Sequence, residues 1–229
     1  MKLGVISDIH GNLVALAAVL DDMPPVDGLV CAGDVVGYNP WHAQCVNVLR
    51  GGRPNLLPPG WKPVPTVMGN HDRAVAEGDM GELDSLAREG VRHARETLDE
   101  SQVAWLAGRP RVRRVCSGRV KLVHGHPEKP FHYTFPEEFA PSLLGDEDVL
   151  ITGHTHHQHH EVYDEGIVMN PGSVGQPRDG DYRAAYAVLD TERMRVVEHR
   201  VPYDTTKVID AVESAGLPLN IGFRLIKGE

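Results

Sequence analysis

Through its first half the chain alternates short apolar runs, polar clusters and segments with helical apolar spacing. Leu3 to Ile6 is a β-rich apolar run ending in Ser7-Asp8-Ile9-His10-Gly11-Asn12, and Leu13 to Leu20 then repeats apolar residues at helical intervals. This predicts strand, polar loop, helix. The order recurs where Gly28 to Ala32 runs into Gly33-Asp34, with a helical pattern over Pro40 to Leu49 that stops at Gly51-Gly52. A third apolar run, Val64 to Met68, leads into Gly69-Asn70-His71-Asp72. Between the second and third units, Gly51 to Pro65 is rich in Pro and Gly and reads as an excursion loop rather than a linker.

Leu83 to Leu106 has the texture of a helix, and after it the pattern turns to strands. Arg111 to Cys116 and Val120 to Val123 flank Ser117-Gly118-Arg119 as a hairpin, and Val149 to Thr152 is a further strand. Val162 to Met169, broken at Asp164-Glu165-Gly166, and Ala184 to Asp190 with Arg193 to Arg200 read as two more hairpins. Thr205 to Ala215 reads as a helix, whereas the last dozen residues show no interpretable period. Strands alternating with helices early and hairpins late imply an α/β protein with two mixed sheets in one domain, residues 1–229.

Composition narrows the function. At 229 residues, with 41% hydrophobic and 24% charged positions, the chain can bury a core without staples. Its three widely spaced cysteines, Cys31, Cys45 and Cys116, suit reduced thiols and a cytoplasmic location. A net charge of -9 and the lack of any Lys/Arg block argue against sequence-specific nucleic-acid binding. The N-terminal apolar run is too short for a signal peptide, and no window of about 18 apolar residues is available to span a membrane. The unusual feature is 13 histidines, since imidazole is both a metal ligand and an acid–base group.

Five polar clusters each follow a short apolar run: Asp8 with His10, Asp34, Asn70 with His71, His124 with His126, and His154 with His156. Each has a neighbouring glycine, Gly11, Gly33, Gly69, Gly125 or Gly153. Any one of these residues alone is more often a cap or a satisfied core group. In α/β sheets, however, loops at the carboxyl ends of strands converge on one rim, so the five clusters can share a site. Two carboxylates, an amide and several imidazoles without thiolate suit Mn, Fe, Zn or Co better than Ca or structural Zn. On extended segments, Asp-x-His and His-x-His spacing would aim residues i and i+2 the same way. Seven candidates suffice for two ions bridged by one aspartate, the arrangement that clamps an in-line phosphoryl displacement.

Asp8-x-His10, Gly33-Asp34-x-x-Gly37, Gly69-Asn70-His71-Asp72, His124-Gly125-His126 and Gly153-His154-Thr155-His156 resemble, in order, the motif set of calcineurin-like metallophosphoesterases. Asn170-Pro171-Gly172-Ser173 extends the likeness to the small bacterial and archaeal phosphodiesterase branch. The resemblance implies a four-layer αββα sandwich of two mixed β-sheets flanked by helices. It implies that Asp8, His10 and His156 hold one divalent ion, that Asn70, His124 and His154 hold a second, and that Asp34 bridges both, with manganese the favoured metal. His71 would face the substrate as acid and transition-state stabiliser, oriented by Asp72, while a metal-bridging water or hydroxide attacks in line.

The implied substrate is a small-molecule phosphate ester, with nucleotides among the candidates, and most simply a diester. The alternatives are a protein serine/threonine phosphatase and a non-catalytic scaffold like the small retromer subunit, whose motif set lacks the catalytic histidine. Tyr38, Asn39 and Arg178 are candidate substrate contacts, with a surface ion pair the duller account of Arg178. His126 belongs to its motif without an assigned role. His157, His159 and His160 read as the start of an exposed strand, Trp41, Trp61 and Trp105 as packing residues, and Pro127 to Glu138 as either a wall of the cleft or inward-packed aromatics. Oligomeric state is left open.

Overall fold

A computed structural model describes residues 1–51 and 63–229. Most of the expected excursion loop, and Trp61 within it, lie outside the described residues.

The apolar run after Met1 forms β1 (Lys2–Ile6), whose two faces go to different cores. Leu3 and Val5 turn one way, with Val30 of β2 (Gly28–Cys31) and Ala187 and Leu189 of β8 (Ala184–Asp190). Ile6 turns the other way, with Leu29, Cys31, Tyr186 and Val188. A strand buried on both faces reads as an unbroken apolar run rather than an alternation, which is why these segments stand out in the sequence. The first sheet has the order β2-β1-β8-β9, with β9 at Arg195–Val201, and only its β1–β2 pair is parallel.

The second sheet has the order β3-β4-β5-β7-β6 and comprises β3 (Val112–Val115), β4 (Val120–Val123), β5 (Val149–Ile151), β6 (Gln158–Val162) and β7 (Ile167–Pro171). Its central strands β4, β5 and β7 are parallel, and its edge strands β3 and β6 antiparallel. Val120, Leu122, Val149, Ile151, Ile167 and Met169 meet the inner face of the first sheet in one core. The two mixed sheets therefore face each other.

Helices α1 (Leu13–Asp22), α2 (His42–Leu49), α3 (Asn70–Glu77), α4 (Ser85–Thr97) and α5 (Glu100–Ala107) cover the outer face of the first sheet, supplying Leu16, Val46, Val75, Val91 and Leu106. Helices α6 (Thr205–Ser214) and α7 (Asn220–Lys227) pack with Tyr38 and Ala87. On the far side of the second sheet the flanking layer is thin: Phe139, Leu143 and Leu144, around single helical turns at Pro136–Glu138 and Pro141–Leu143, cover Val123, Leu150 and Val168. Among the described residues no helix is long and apolar enough to cross a membrane, and the three cysteines are unpaired.

Several elements differ from the sequence pattern. The helical stretch from Leu83 is two helices, because Asp99 caps α5: its carboxylate accepts Gln102 N–H at 2.9 Å, and the Gln102 side chain accepts Asp99 N–H at 3.0 Å. Val64 to Met68 pairs only as a bridge between Cys31 and Thr66, since Pro65 has no N–H to extend a ladder. The second hairpin begins earlier than its apolar residues, at Gln158, because β6 is a half-exposed edge strand of mostly polar residues. Helix α7 buries Ile221 and Leu225 and leaves Phe223 and Ile226 exposed, and at eight residues it is too short for its period to stand out in the sequence.

Candidate active site

The parallel strands of both sheets end on the same rim. Asp8 and His10 follow β1, Asp34 follows β2, Asn70 and His71 begin α3, His124 follows β4, and His154 and His156 follow β5. Backbone bonds stitch the loops across the sheets, Gly175 N–H to Asp8 C=O at 2.9 Å and Val174 N–H to Ser7 C=O at 3.0 Å, and within the second sheet, Gly153 N–H to His124 C=O at 2.8 Å.

These loops are not extended, contrary to the reading of the x-spaced pairs. Asp8, His10, Asp34, Tyr38, His154 and His156 all have φ between 49° and 67°, the left-handed region that L-residues adopt at a cost of about 1–3 kcal/mol each. Such strain persists only where the surroundings fix it. Here Asp8 N–H is held by Gly33 C=O at 2.9 Å, His10 N–H by Asp34 C=O at 3.0 Å, and His154 N–H by the Asp8 carboxylate at 3.0 Å. The side chains converge because the chain coils around them rather than running past them. Gly69 shows how tight the fit is, since a β-carbon there would lie 1.9 Å from Asp34 Oδ1. Its absence lets the Asp34 carboxylate sit at the N-terminus of α3 and accept His71 N–H at 2.9 Å.

Side-chain donors gather in three overlapping sets whose ligating atoms lie within 4.8 Å of one another: Asp8, His10 and His156; His10, Asp34 and His71; and Asp34, His124 and His154. All of these residues are buried. His10, His124 and His156 each turn Nδ1 to a backbone carbonyl, of Val36, Ala32 and Gln176, at 3.1, 2.8 and 2.5 Å. A carbonyl only accepts, so each Nδ1 carries the proton and each Nε2 presents a lone pair to the centre. His154 does the reverse, giving its Nε2 to the Phe131 carbonyl at 3.1 Å.

The consequence is a collision of acceptors. His10 Nε2 and His156 Nε2 stand 3.0 Å apart with two lone pairs and no proton to share. His156 Nε2 is 3.2 Å from Asp8 Oδ1, a buried oxygen with no hydrogen-bond partner. His124 Nε2 faces oxygens alone, Asn70 Oδ1 at 3.1 Å and Asp34 Oδ2 at 3.3 Å. Burial pushes His10 and His156 below the usual imidazole range and His154 down to about 3, which leaves them neutral and nucleophilic. Although burial opposes charge at His124, the Asp34 carboxylate overrides it and raises the ring to about 10, so a proton takes the position that another cation could fill. Burial also opposes ionisation of Asp8 and Asp34, yet the surrounding imidazoles hold both well below the usual carboxylate range. Lone pairs, two carboxylates and an orphan oxygen aimed inward fit divalent cations.

Other expected residues fall differently. Asp72 does not touch the His71 ring. Its Oδ1 accepts Val35 N–H at 2.9 Å and Val36 N–H at 3.3 Å, and its Oδ2 accepts Gly69 N–H at 3.0 Å, so it clamps the Asp34 loop to α3. Burial and the Asp34 charge raise its carboxyl to about 7. Asn39 is buried away from the cleft and donates to the His10 carbonyl at 3.0 Å. His126 sits outside the three donor sets, its Nδ1 accepting Glu128 N–H at 3.2 Å and its ring near His132. His159 and His160 lie on the edge strand, paired with Glu161 and Glu198.

A cleft of about 210 Å³ opens over the centre, lined by Asp34, Asn70, His71, His154, Tyr38 and Arg178 among others. Arg178 donates to Tyr38 Oη at 3.0 Å and to Gln176 Oε1 at 2.8 Å and makes no ion pair among the described residues, so the surface-ion-pair account does not hold. Sequence reasoning missed Gln176, whose carbonyl holds His156 while its side chain holds Arg178, and Ser7, whose hydroxyl donates to Asp8 at 2.5 Å. Neither residue type carries a distinctive signal. Tyr38 itself rests on Gly90 of α4, where a β-carbon would lie 2.1 Å from Tyr38 N. Gly90→Ala should therefore destabilise the protein by about 3 kcal/mol in chemical denaturation through overpacking, despite a helix-propensity gain of about 1 kcal/mol.

Residues 1–194 match the model of the calcineurin-like phosphoesterase superfamily domain. An uncharacterized protein of Methanocaldococcus jannaschii is 30% identical, the match covering 99% of this chain and 98% of that protein. The phosphodiesterase YfcE of Escherichia coli is 30% identical over 86% of this chain and 91% of its own. Among solved structures, a metallophosphoesterase from Sphaerobacter thermophilus superposes with a TM-score of 0.83 at 32% identity, covering 100% of this chain and 99% of that one.

Proposed function

Because this chain belongs to the calcineurin-like phosphoesterase superfamily, we propose that it hydrolyses small-molecule phosphate esters, phosphodiesters foremost, with two divalent cations. The observation that carries this reading is the facing pair of imidazole lone pairs, His10 Nε2 and His156 Nε2 at 3.0 Å, beside the unpartnered Asp8 Oδ1. Buried acceptors in that arrangement repel one another unless a cation lies among them. Asp8, His10 and His156 would hold one ion and Asn70, His124 and His154 the other, with Asp34 belonging to both sets; manganese, iron, zinc and cobalt all suit these donors, and manganese is the preferred assignment. Such ions supply Lewis acidity, neutralising phosphate charge and bringing a water's pKa towards neutrality.

The remaining work falls to the chain's own groups. His71 lines the cleft and is held down at about 4 by burial, so its ring is neutral at pH 7. Its Nδ1 is buried without a partner, so Nε2 is the ring nitrogen that would meet a phosphoryl or leaving-group oxygen, donating to it as the Nε2–H tautomer. Arg178 presents its planar fork to a non-bridging phosphate oxygen, steadied by Tyr38 and Gln176. The name of the Escherichia coli relative, a phosphodiesterase, agrees with this choice of ester.

The test is hydrolysis of bis-p-nitrophenyl phosphate and p-nitrophenyl phosphate by chelated protein reloaded with manganese, iron, zinc or cobalt. Expected are activity only after reloading, diester turnover above monoester, and slower release of phosphate from phosphopeptides. Inactivity with all four metals would remove the enzyme reading in favour of a scaffold.

A further inference from the structure

The 127–138 segment is pinned to the active-site loops. Gly125 N–H donates to Pro130 C=O at 2.7 Å, and His154 gives its Nε2–H to Phe131 C=O at 3.1 Å. This fixes Tyr133 flat on the His154 imidazole, with ring centroids 3.9 Å apart and planes at 10°. Phe135 continues the stack at 5.7 Å and 16° from Tyr133, with its edge towards His157. Two aromatic rings stacked in sequence from a candidate metal ligand outwards would be unremarkable in a core. These are 44% and 39% exposed, and Tyr133 lines the cleft. Exposed apolar surface held in a fixed orientation at a cleft mouth marks a contact site.

Size and charge narrow what it contacts. The cleft, about 210 Å³, is below the roughly 300 Å³ at which pockets begin to enclose a drug-sized ligand. It accommodates a phosphoryl group and its nearest substituents, and the rest of the ester must lie at the mouth, where the rings are. The same rim carries Glu82, paired with Arg73 at 3.0 Å, and the exposed Asp84, which makes no ion pair among the described residues and disfavours a second phosphate. We propose that the Tyr133–Phe135 stack is a specificity platform for a planar aromatic group, a nucleobase or an aryl ring, carried on an ester of a single phosphate. This rests on the phosphoesterase reading above and names the substrate class for it.

The experiment is calorimetric binding of inorganic phosphate, ribose 5-phosphate, adenosine 5′-monophosphate and phenyl phosphate to manganese-loaded protein, wild type, Phe135→Ala and Phe135→Tyr. In the wild type the adenosine ester should bind roughly tenfold more tightly than ribose 5-phosphate, the gain of one base–aromatic stack. That ratio should collapse towards one in Phe135→Ala and return in Phe135→Tyr, which keeps the ring. A loss confined to the adenosine ester assigns a nucleobase, whereas an equal loss with phenyl phosphate assigns an aryl ring. Equal wild-type affinity for the adenosine and ribose esters, with phenyl phosphate no tighter than inorganic phosphate and manganese-dependent phosphate binding intact, overturns the platform and leaves the phosphoesterase reading standing. Failure of every phosphate to bind with manganese overturns both.

Discussion

Asp34→Asn is expected to lower turnover of a phosphodiester at least about a thousandfold, equivalent to some 4 kcal/mol of barrier, and to reduce the bound metal. The substitution keeps the shape of the side chain and an oxygen able to accept His71 N–H, now at 2.9 Å, so the start of α3 should survive. What it removes is charge at the one residue that falls both in the set with His10 and His71 and in the set with His124 and His154. It also removes the carboxylate 3.3 Å from His124, the group that raises that ring to about 10. Elemental analysis of the dialysed protein beside steady-state kinetics checks the expectation. A variant that keeps two ions and more than a tenth of its activity would show that Asp34 is not shared between the sites.

His71→Ala should lower kcat by about 10²–10³ while leaving metal content unchanged. The geometry makes this a sharp test, because His71 stands within ligating distance of His10 and Asp34 and its ring packs edge-on to His10 at 4.7 Å. Two roles are thus open to it: ligand, or donor to the substrate. Alanine retains the backbone N–H that holds Asp34, so only the ring is deleted. If His71 acts on the substrate, kcat collapses at full metal occupancy. A fall in metal content with kcat per bound ion preserved would make it a ligand instead and remove the proposed acid.

Much of the site was legible because most candidate donors lie just past an apolar strand of the core, although Asn70 and His71 begin α3 after an apolar run that pairs only as a bridge. Asp8 two residues past Ile6, His124 one past Val123 and His154 three past Ile151 are placed by strands whose burial the sequence announces. Asp72 was misread because proximity in sequence to His71 says nothing about direction on a helix: at the third position of α3 its carboxylate faces back to the N–H groups of Gly69, Val35 and Val36. The alternating spacing of Asp8 with His10 and His154 with His156 suggested extended backbone, whereas left-handed φ angles at all four supply the convergence. Asp and His tolerate that conformation better than most side chains, but their spacing does not announce it, and contacts from neighbouring loops hold it: Gly33 and Asp34 carbonyls for Asp8 and His10, and the Asp8 carboxylate for His154.

The sequence by itself determined the two mixed sheets, most of their strands and the chemical character of the donors, because burial patterns and side-chain chemistry are local properties. The tertiary structure alone decided which atoms confront each other. His10 and His156 are 146 residues apart, and their nitrogens meet because one sheet packs on the other with the carboxyl ends of its parallel strands on the same rim. Tautomers followed from carbonyls at Val36, Ala32 and Gln176, and the aromatic wall followed from the pinning of Pro130 and Phe131. These are relations between distant segments, fixed by packing and hydrogen-bond satisfaction across the whole core, and no window of the chain contains both partners.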